Sequence, residues 1–384
     1  MPHIDHAELF PVINRHIWLN HAAISAWPLP VIQAAQDFIY ENQHHGALNY
    51  ENWLATEERL RSQLAEFIQA PSAEDISLLR NTSEALNIIA QGLNWSAGDE
   101  VVFPANEFPS NLLPWQWLER TGVIPNAVDL SKDNPEQDLI DAIGPQTRLV
   151  AASSVQFDTG LRLDLARIGQ ACRDKQALFA VDVIQHLGAL PLNVSALPID
   201  FLVCGSHKWL MAPEGVGFMW SRATVRSQME VALPGWRMYP DPFNFNRHDW
   251  TPPETGRRFE TGTVNMFGIH GLSAAISLLL ELNPQETGEA LLDRSDYLFK
   301  ALSDHPKIEM VSPAQRQRRA GIVCFRAKHT DAQCVVDTLA SEEIHVAKRG
   351  DNIRVSPHFY TPYDQLDAFV HRFEDVRLWQ ACAA

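Results

Sequence analysis

Lys208 and Asp182, with the polar residues around them, form the set of side chains best suited to chemistry in this chain of 384 residues. Two short apolar runs, Phe179-Ala180-Val181-Asp182-Val183 and Phe201-Leu202-Val203-Cys204-Gly205, each lead into a polar cluster. The first holds Asp182 and Gln185, the second Ser206, His207 and Lys208. Buried strands of an open α/β sheet read as such runs, and ligands sit beyond their carboxyl ends. A lysine there, close to an aspartate from the neighbouring strand, is what pyridoxal 5'-phosphate chemistry needs. The amine condenses with the aldehyde, and the carboxylate keeps the pyridine nitrogen protonated so that the ring accepts electrons. Such an amine must be partly neutral, and a desolvated position lowers its pKa.

Other clusters supply the remaining contacts. Arg80-Asn81-Thr82-Ser83-Glu84 joins a strand to a helix, and Thr82 and Ser83 fall at the helix start, where backbone N–H groups favour an anion. Ser or Thr there is ordinarily an N-cap; read with the lysine and aspartate clusters, the pair becomes a phosphate cradle, with Ser206 and His207 adding donors. Gln185 is placed to donate to the cofactor's phenolic oxygen. Phe108, in Glu107-Phe108-Pro109-Ser110-Asn111, can lie on the pyridine face. An amino-acid substrate presents a carboxylate, for which Arg is the bidentate partner. Arg354 on a late strand and Arg349 in the turn before it are the candidates. Thr263, in a polar turn before a helix, can reach an anion.

The elements that must position these residues alternate along the chain. Strands are expected at Ile76–Leu79, Asp99–Phe103, Arg148–Ala152, Leu178–Val183 and Phe201–Cys204, with helices at Ser83–Gln91 and Leu163–Lys175. That alternation implies an α/β fold with a mainly parallel, doubly wound sheet flanked by helices. No G-x-G-x-x-G follows the first strand, which argues against a dinucleotide domain. Pro234–Thr255, rich in Pro and aromatics, reads as a surface excursion or a loop covering a site, its length favouring the second. A helix over Asn265–Leu282 leads into a smaller α+β unit, with strands at Gly321–Ala327 and Ile353–Val355 and helices at Asp331–Leu339 and Tyr363–Glu374. The expected division is a large cofactor domain over 15–264 and a small domain over 265–384 with 1–14.

Composition sets the class. Hydrophobic residues make up 46% and charged residues 20%, ordinary for a globular protein. The net charge is 31 − 47 = −16 without a basic cluster, so neither nucleic acid nor a membrane surface is an expected partner. No apolar run reaches membrane-spanning length, and Met-Pro-His-Ile-Asp-His lacks the features of a signal peptide, so a cytoplasmic location is expected. The five cysteines include no C-x-x-C pair, so no zinc cluster is expected, and most should be small buried hydrophobes.

Taken in order from Leu19-Asn20-His21-Ala22-Ala23 to Arg354, these clusters resemble the class V aminotransferase family of fold-type I pyridoxal-phosphate enzymes. That family includes cysteine desulfurases, selenocysteine lyase-like proteins, cyst(e)ine C–S lyases, isopenicillin N epimerase and kynureninase. The resemblance implies that Lys208 carries the cofactor, Asp182 pairs with its ring nitrogen and Gln185 with its phenolic oxygen. It also places Thr82, Ser83, Ser206 and His207 on the phosphate, Arg354 on the substrate carboxylate, and Thr263 across the interface of a homodimer. Two departures narrow the group. Phe108 stands where desulfurases carry a ring-stacking His, and Ile344–Arg354 lacks their nucleophilic loop cysteine. His207-Lys208-Trp209-Leu210 with Ala212-Pro213-Glu214-Gly215 looks most like the C–S lyase and epimerase members. The expected activity is removal of an amino acid's α-proton followed by β-elimination of a sulfur group. Epimerisation, with His21 or His186 to be tried as the opposite-face acid, and transamination are the rivals; desulfuration through Cys324 or Cys334 and non-catalytic cofactor binding rank below them. His21 and Arg349 are carried as additional substrate contacts.

Overall fold

The apolar runs are buried along their whole length, as strands covered by helices on both faces must be: every residue of Phe201–Gly205 and of Gly217–Ser221 is buried. A computed structural model describes residues 6–239, 243, 244, 246 and 250–383. The opening Met1–Asp5 and part of the Pro234–Thr255 segment lie outside those residues.

In chain order the strands of the main sheet follow a short β1 (Ile17–Trp18). They are β2 (Ile76–Leu79), β3 (Glu100–Pro104), β4 (Ile124–Val128), β5 (Thr147–Ser153), β6 (Leu178–Asp182), β7 (Phe201–Gly205) and β8 (Gly217–Ser221). Their spatial order is β2-β8-β7-β6-β5-β3-β4. Neighbours from β4 through β7 run parallel, while β8 is antiparallel to both β7 and β2. The five foreseen strands and the helices Thr82–Gly92 and Leu165–Asp174 stand within two residues of their expected bounds. β4 and β8 were not anticipated. β4 is a half-exposed edge strand carrying Pro125, so it lacks an apolar run; β8 begins in the glycine-bearing turn after Lys208.

One face of the sheet is covered by helices Leu29–His45, Tyr50–Phe67 and Met266–Glu281, which pack on one another. Met266–Glu281, assigned from sequence to the smaller unit, buries Ile269, Leu272, Ala275, Ile276 and Leu279 in the core of the large one. On that side Arg61 is a buried hub. It donates to Glu57 at 2.6 Å and to the two oxygens of Glu260 at 2.5 and 2.7 Å, while Leu78 N–H also donates to Glu260 at 2.8 Å. Removing one partner of a buried pair leaves an uncompensated charge. Glu260→Ala is therefore expected to cost roughly 3–5 kcal/mol of stability, seen as a lower denaturation midpoint, whereas Glu58→Ala on the exposed rim should change it little.

The C-terminal unit adds β9 (Ile308–Met310), β10 (Val323–Ala327), β11 (Ile344–His345), β12 (Ala347–Arg349) and β13 (Asn352–Val355). Four of these form an antiparallel sheet ordered β12-β13-β10-β9, and β11 pairs in parallel with β1. Cys172, Cys204 and Cys324 are free and buried, as expected of small hydrophobes. Cys334 and Cys382 instead form a disulfide with Cα atoms 5.4 Å apart, tying the last helix to Ala332–Ala340. They are 48 positions apart in sequence, and no local spacing marks that pair.

Candidate functional site

The strand order changes direction between β3 and β5: β4 lies on one side of β3, and β5 to β7 extend on the other. Ligands in open α/β sheets bind beyond the strands' carboxyl ends at such a point. A cavity of about 330 Å³ opens there. Thr82, Ser83, Phe108, Asp182 and Gln185 line it, as do His207, Lys208, Arg349 and Arg354. The first five and the next two come from one sheet edge; the two arginines arrive from β12 and β13 of the smaller unit. Larger cavities of about 510 and 480 Å³ lie elsewhere, but neither contains Lys208 or Asp182.

Asp182 ends β6 and is 2% exposed. Burial pushes its carboxyl up to about 6, against the opposing pull of the Ile184 N–H, which donates to Oδ1 at 2.9 Å, and of Lys208. Lys208 follows β7 by three residues and is 9% exposed. Burial lowers its ammonium to about 8, while Asp182 opposes and Arg354 and Arg349 reinforce the shift. Its Nζ stands 5.4 Å from the centre of the Phe108 ring. The Phe108 ring is itself held edge-on by Phe157, centroids 5.4 Å apart.

At the start of helix Thr82–Gly92, the N-cap is Asn81, whose side chain accepts from Glu84 N–H at 2.8 Å. Thr82 is thus released from capping, and its Oγ1 is buried without a hydrogen-bond partner. Ser83 Oγ lies 2.7 Å from Ser110 Oγ. Gln185 is fixed from both ends: its Nε2 donates to the Ala22 carbonyl at 3.0 Å and its Oε1 accepts from Trp209 Nε1 at 2.9 Å. One Nε2 hydrogen remains for the cavity. Trp209, fully buried, is a positioning residue that sequence reasoning missed; its place directly after the lysine was the only local signal.

Glu107 was missed in the same way. It is buried beside the site, accepts from Ser153 N–H and Oγ, both at 2.5 Å, and from Gln156 at 3.2 Å. Burial raises its carboxyl to about 7. It therefore braces the β5 edge and the loop that carries Phe108.

Three candidates fall outside the cavity. Ser206 is wholly buried, and its hydroxyl faces the carbonyls of Pro213 and Val216 at 2.5 and 2.7 Å, closing the turn that presents Lys208 rather than facing a ligand. His21 is also wholly buried, bonded through Nδ1 to the Ser356 carbonyl and through Nε2 to Tyr360 Oη, both at 2.8 Å. Its burial lowers its pKa to about 4, so the ring is uncharged near neutral pH, and it does not line the cavity. Thr263 lines the neighbouring cavity with Arg80 and Gly215. His186, the other acid considered for epimerisation, faces a third cavity and is lowered by burial to about 3.

Arg354 supplies the clearest sign of a missing ligand. It is 1% exposed; Nη1 donates to the Phe157 carbonyl at 2.9 Å, whereas Nε and Nη2 have no partner. Buried polar groups are nearly always satisfied. A substrate carboxylate fits those two donors, and a phosphate fits Thr82 Oγ1 with the free N–H groups of the first helical turn. The residues present thus suit a phosphorylated, aldehyde-bearing ring together with an amino acid.

Comparisons with known proteins agree with that fit. The family model for aminotransferase class-V matches residues 17–361. A probable cysteine desulfurase of Methanothermobacter thermautotrophicus is 27% identical over 95% of this chain and 96% of its own. Two structures of C-DES, each 25% identical, superpose with TM-scores of 0.90 and 0.89 over 96% and 95% of this chain and 99% of theirs. One is a mutant with glycine covalently linked to the pyridoxal-phosphate cofactor; the other is the cystine C–S lyase in complex with its reaction product, cysteine persulfide. The match across nearly the whole chain makes this protein a member of the class-V aminotransferase family, a pyridoxal-phosphate enzyme of the cysteine desulfurase and C–S lyase group.

Proposed function

We propose that the enzyme is a β-eliminating C–S lyase that acts on a sulfur-bearing α-amino acid without a persulfide cysteine. The observation that carries this reading is the absence of an available thiol at the cavity. None of the five cysteines lines it. Cys324, opposite Arg354 in the β10–β13 register, is wholly buried, and burial raises its thiol to about 12. Cys334 is held in the disulfide. A persulfide mechanism needs a thiolate that reaches the substrate sulfur.

In this reading Thr82, Ser83 and His207 hold the cofactor's phosphate, Asp182 its ring nitrogen, Gln185 its phenolic oxygen, Phe108 its ring face and Lys208 its aldehyde carbon. When bound, the cofactor supplies an electron sink for the pair left at Cα. Arg354 grips the substrate carboxylate, and Arg349 adds positive charge beside it. Lys208, whose amine burial lowers to about 8, would take the α-proton. The bond from Cβ to sulfur would break with the electron pair leaving on sulfur, and water would hydrolyse the released enamine, giving pyruvate from the carbon skeleton and ammonia from the amine. His21 and His186 are both neutral and outside the cavity, so neither acid considered for epimerisation is in place. Thr263 lies outside its own chain's cavity, which suits a homodimer in which it serves the partner's site.

The test is product formation by Cys324→Ser. Pyruvate and ammonia from cystine at a rate within about twofold of wild type is the expected outcome. Alanine as the carbon product, abolished in Cys324→Ser, would instead establish a desulfurase working through that thiol.

A further inference from the structure

Away from the cavity, His16, Glu343 and His345 bring their ligating atoms within 4.8 Å of one another. The strand geometry explains the meeting. β1 and β11 pair in parallel, Ile17 opposite Ile344 and Trp18 opposite His345. Glu343 sits in the turn that enters β11, its Oε2 3.6 Å from His345 Nε2, and Ile17 N–H donates to the Glu343 carbonyl at 2.9 Å, drawing His16 alongside. Glu343 adopts φ +61°, a left-handed conformation uncommon for a residue with a side chain. Such conformations persist where the surroundings fix them, and they cluster at functional sites.

We propose that these three residues form a binding site for a first-row divalent metal ion of the zinc class, which staples β1 to β11. Two imidazoles and one carboxylate are a donor set for zinc and its neighbours rather than for magnesium or calcium, which prefer all-oxygen shells. On a tetrahedron with metal–ligand bonds of about 2.0–2.1 Å, ligand atoms lie roughly 3.3–3.4 Å apart. His345 Nε2 stands 3.6 Å from Glu343 Oε2, close to that edge length. His16 Nδ1 lies 2.6 Å from the same oxygen, so a modest opening of this contact admits an ion.

Independently of the geometry, His345 Nε2 is buried and has no hydrogen-bond partner, the state of a donor atom awaiting a ligand. The Glu343 side chain is 62% exposed, leaving an entry path and a fourth position for water. The staple has a structural consequence. β1 runs directly into Ala22, Ala23 and Ile24, and β11 into Arg349, all of which line the cavity. An ion bridging the two strands therefore fixes both chain segments as they enter the candidate site.

The experiment is calorimetric titration of chelator-treated, dialysed holoenzyme with zinc chloride alone, paired with thermal denaturation. Wild type is expected to take up one ion per chain and to gain about 2–4 °C in Tm at saturating zinc. His16→Gln and His345→Gln should each bind more than about tenfold more weakly and lose that gain. Glu343→Gln, altered at an exposed side chain, serves if either histidine variant fails to fold. The exposed pair His44 and His45 is the control, and His44→Ala with His45→Ala should leave the affinity unchanged. No uptake at roughly 100 μM zinc, or equal affinity in wild type and the site variants, overturns the proposal.

Discussion

Lys208→Ala is expected to abolish the lysine-bound cofactor's absorption at roughly 410–430 nm and to lower kcat/KM at least about a thousandfold. Wild-type protein reduced with borohydride should carry the cofactor covalently on Lys208, and the variant should release it on denaturation. The physical basis is the amine's environment. Burial lowers it to about 8, so an appreciable neutral fraction exists near neutral pH. With that pKa, the rate at which apoprotein captures added cofactor should rise about tenfold between roughly pH 7 and 9 and then level off. An amine of ordinary pKa would gain about a hundredfold over the same span without a plateau. The same shift has a stability signature. Above about 8 the folded chain has released a proton that the unfolded chain retains until its ordinary value, so this group adds stability as pH rises through that window. A variant that keeps the visible band, or a capture rate that climbs without levelling, would remove Lys208 from its assigned role.

The parts of this site legible in sequence were those carried by short-range pattern. Asp182 and Lys208 each follow an apolar run that a covered parallel strand must have, so their place at one sheet edge followed from the runs alone. Thr82 and Ser83 were located by the strand-to-helix junction, although the cap proved to be Asn81. The rest depended on contacts between distant segments. Ser206 sits two residues from Lys208, yet its hydroxyl is engaged by carbonyls from the end of the same turn, which no spacing reveals. His21 looked available as a polar residue near the start of the matched region; only the fold shows it enclosed by Ser356, Tyr360 and His358. Trp209 and Glu107 act by orienting Gln185 and the Phe108 loop, and a residue that acts through another leaves no type-and-spacing signature of its own. β4 was silent because an edge strand with a proline need not be apolar.

Arg354 yields a prediction in which activity and stability move in opposite directions. In Arg354→Met, kcat/KM for the amino-acid substrate should fall at least about a hundredfold, because a bidentate charge-assisted pair with the carboxylate is lost. Arg354→Lys should recover little of it, since a point charge cannot reproduce the planar fork. The apoprotein's Tm should nevertheless rise, by about 2–5 °C. In the folded chain this guanidinium is 1% exposed, two of its nitrogens have no partner, and Arg349 adds a like charge nearby. Burial, then that like charge, pushes its pKa below the usual arginine range, meaning the folded state resists the charged form. Methionine fills much of the same space without a charge to desolvate, at the loss of one hydrogen bond to the Phe157 carbonyl. Because each effect has a separate readout, the outcomes are distinguishable. Falling Tm together with falling activity would make Arg354 a structural residue of the β10–β13 sheet. Rising Tm with activity intact would mean that the carboxylate is held elsewhere, with Arg349 the next candidate. Only the crossed result, a stabler protein that no longer binds its substrate, matches a cation kept unpaired for a ligand.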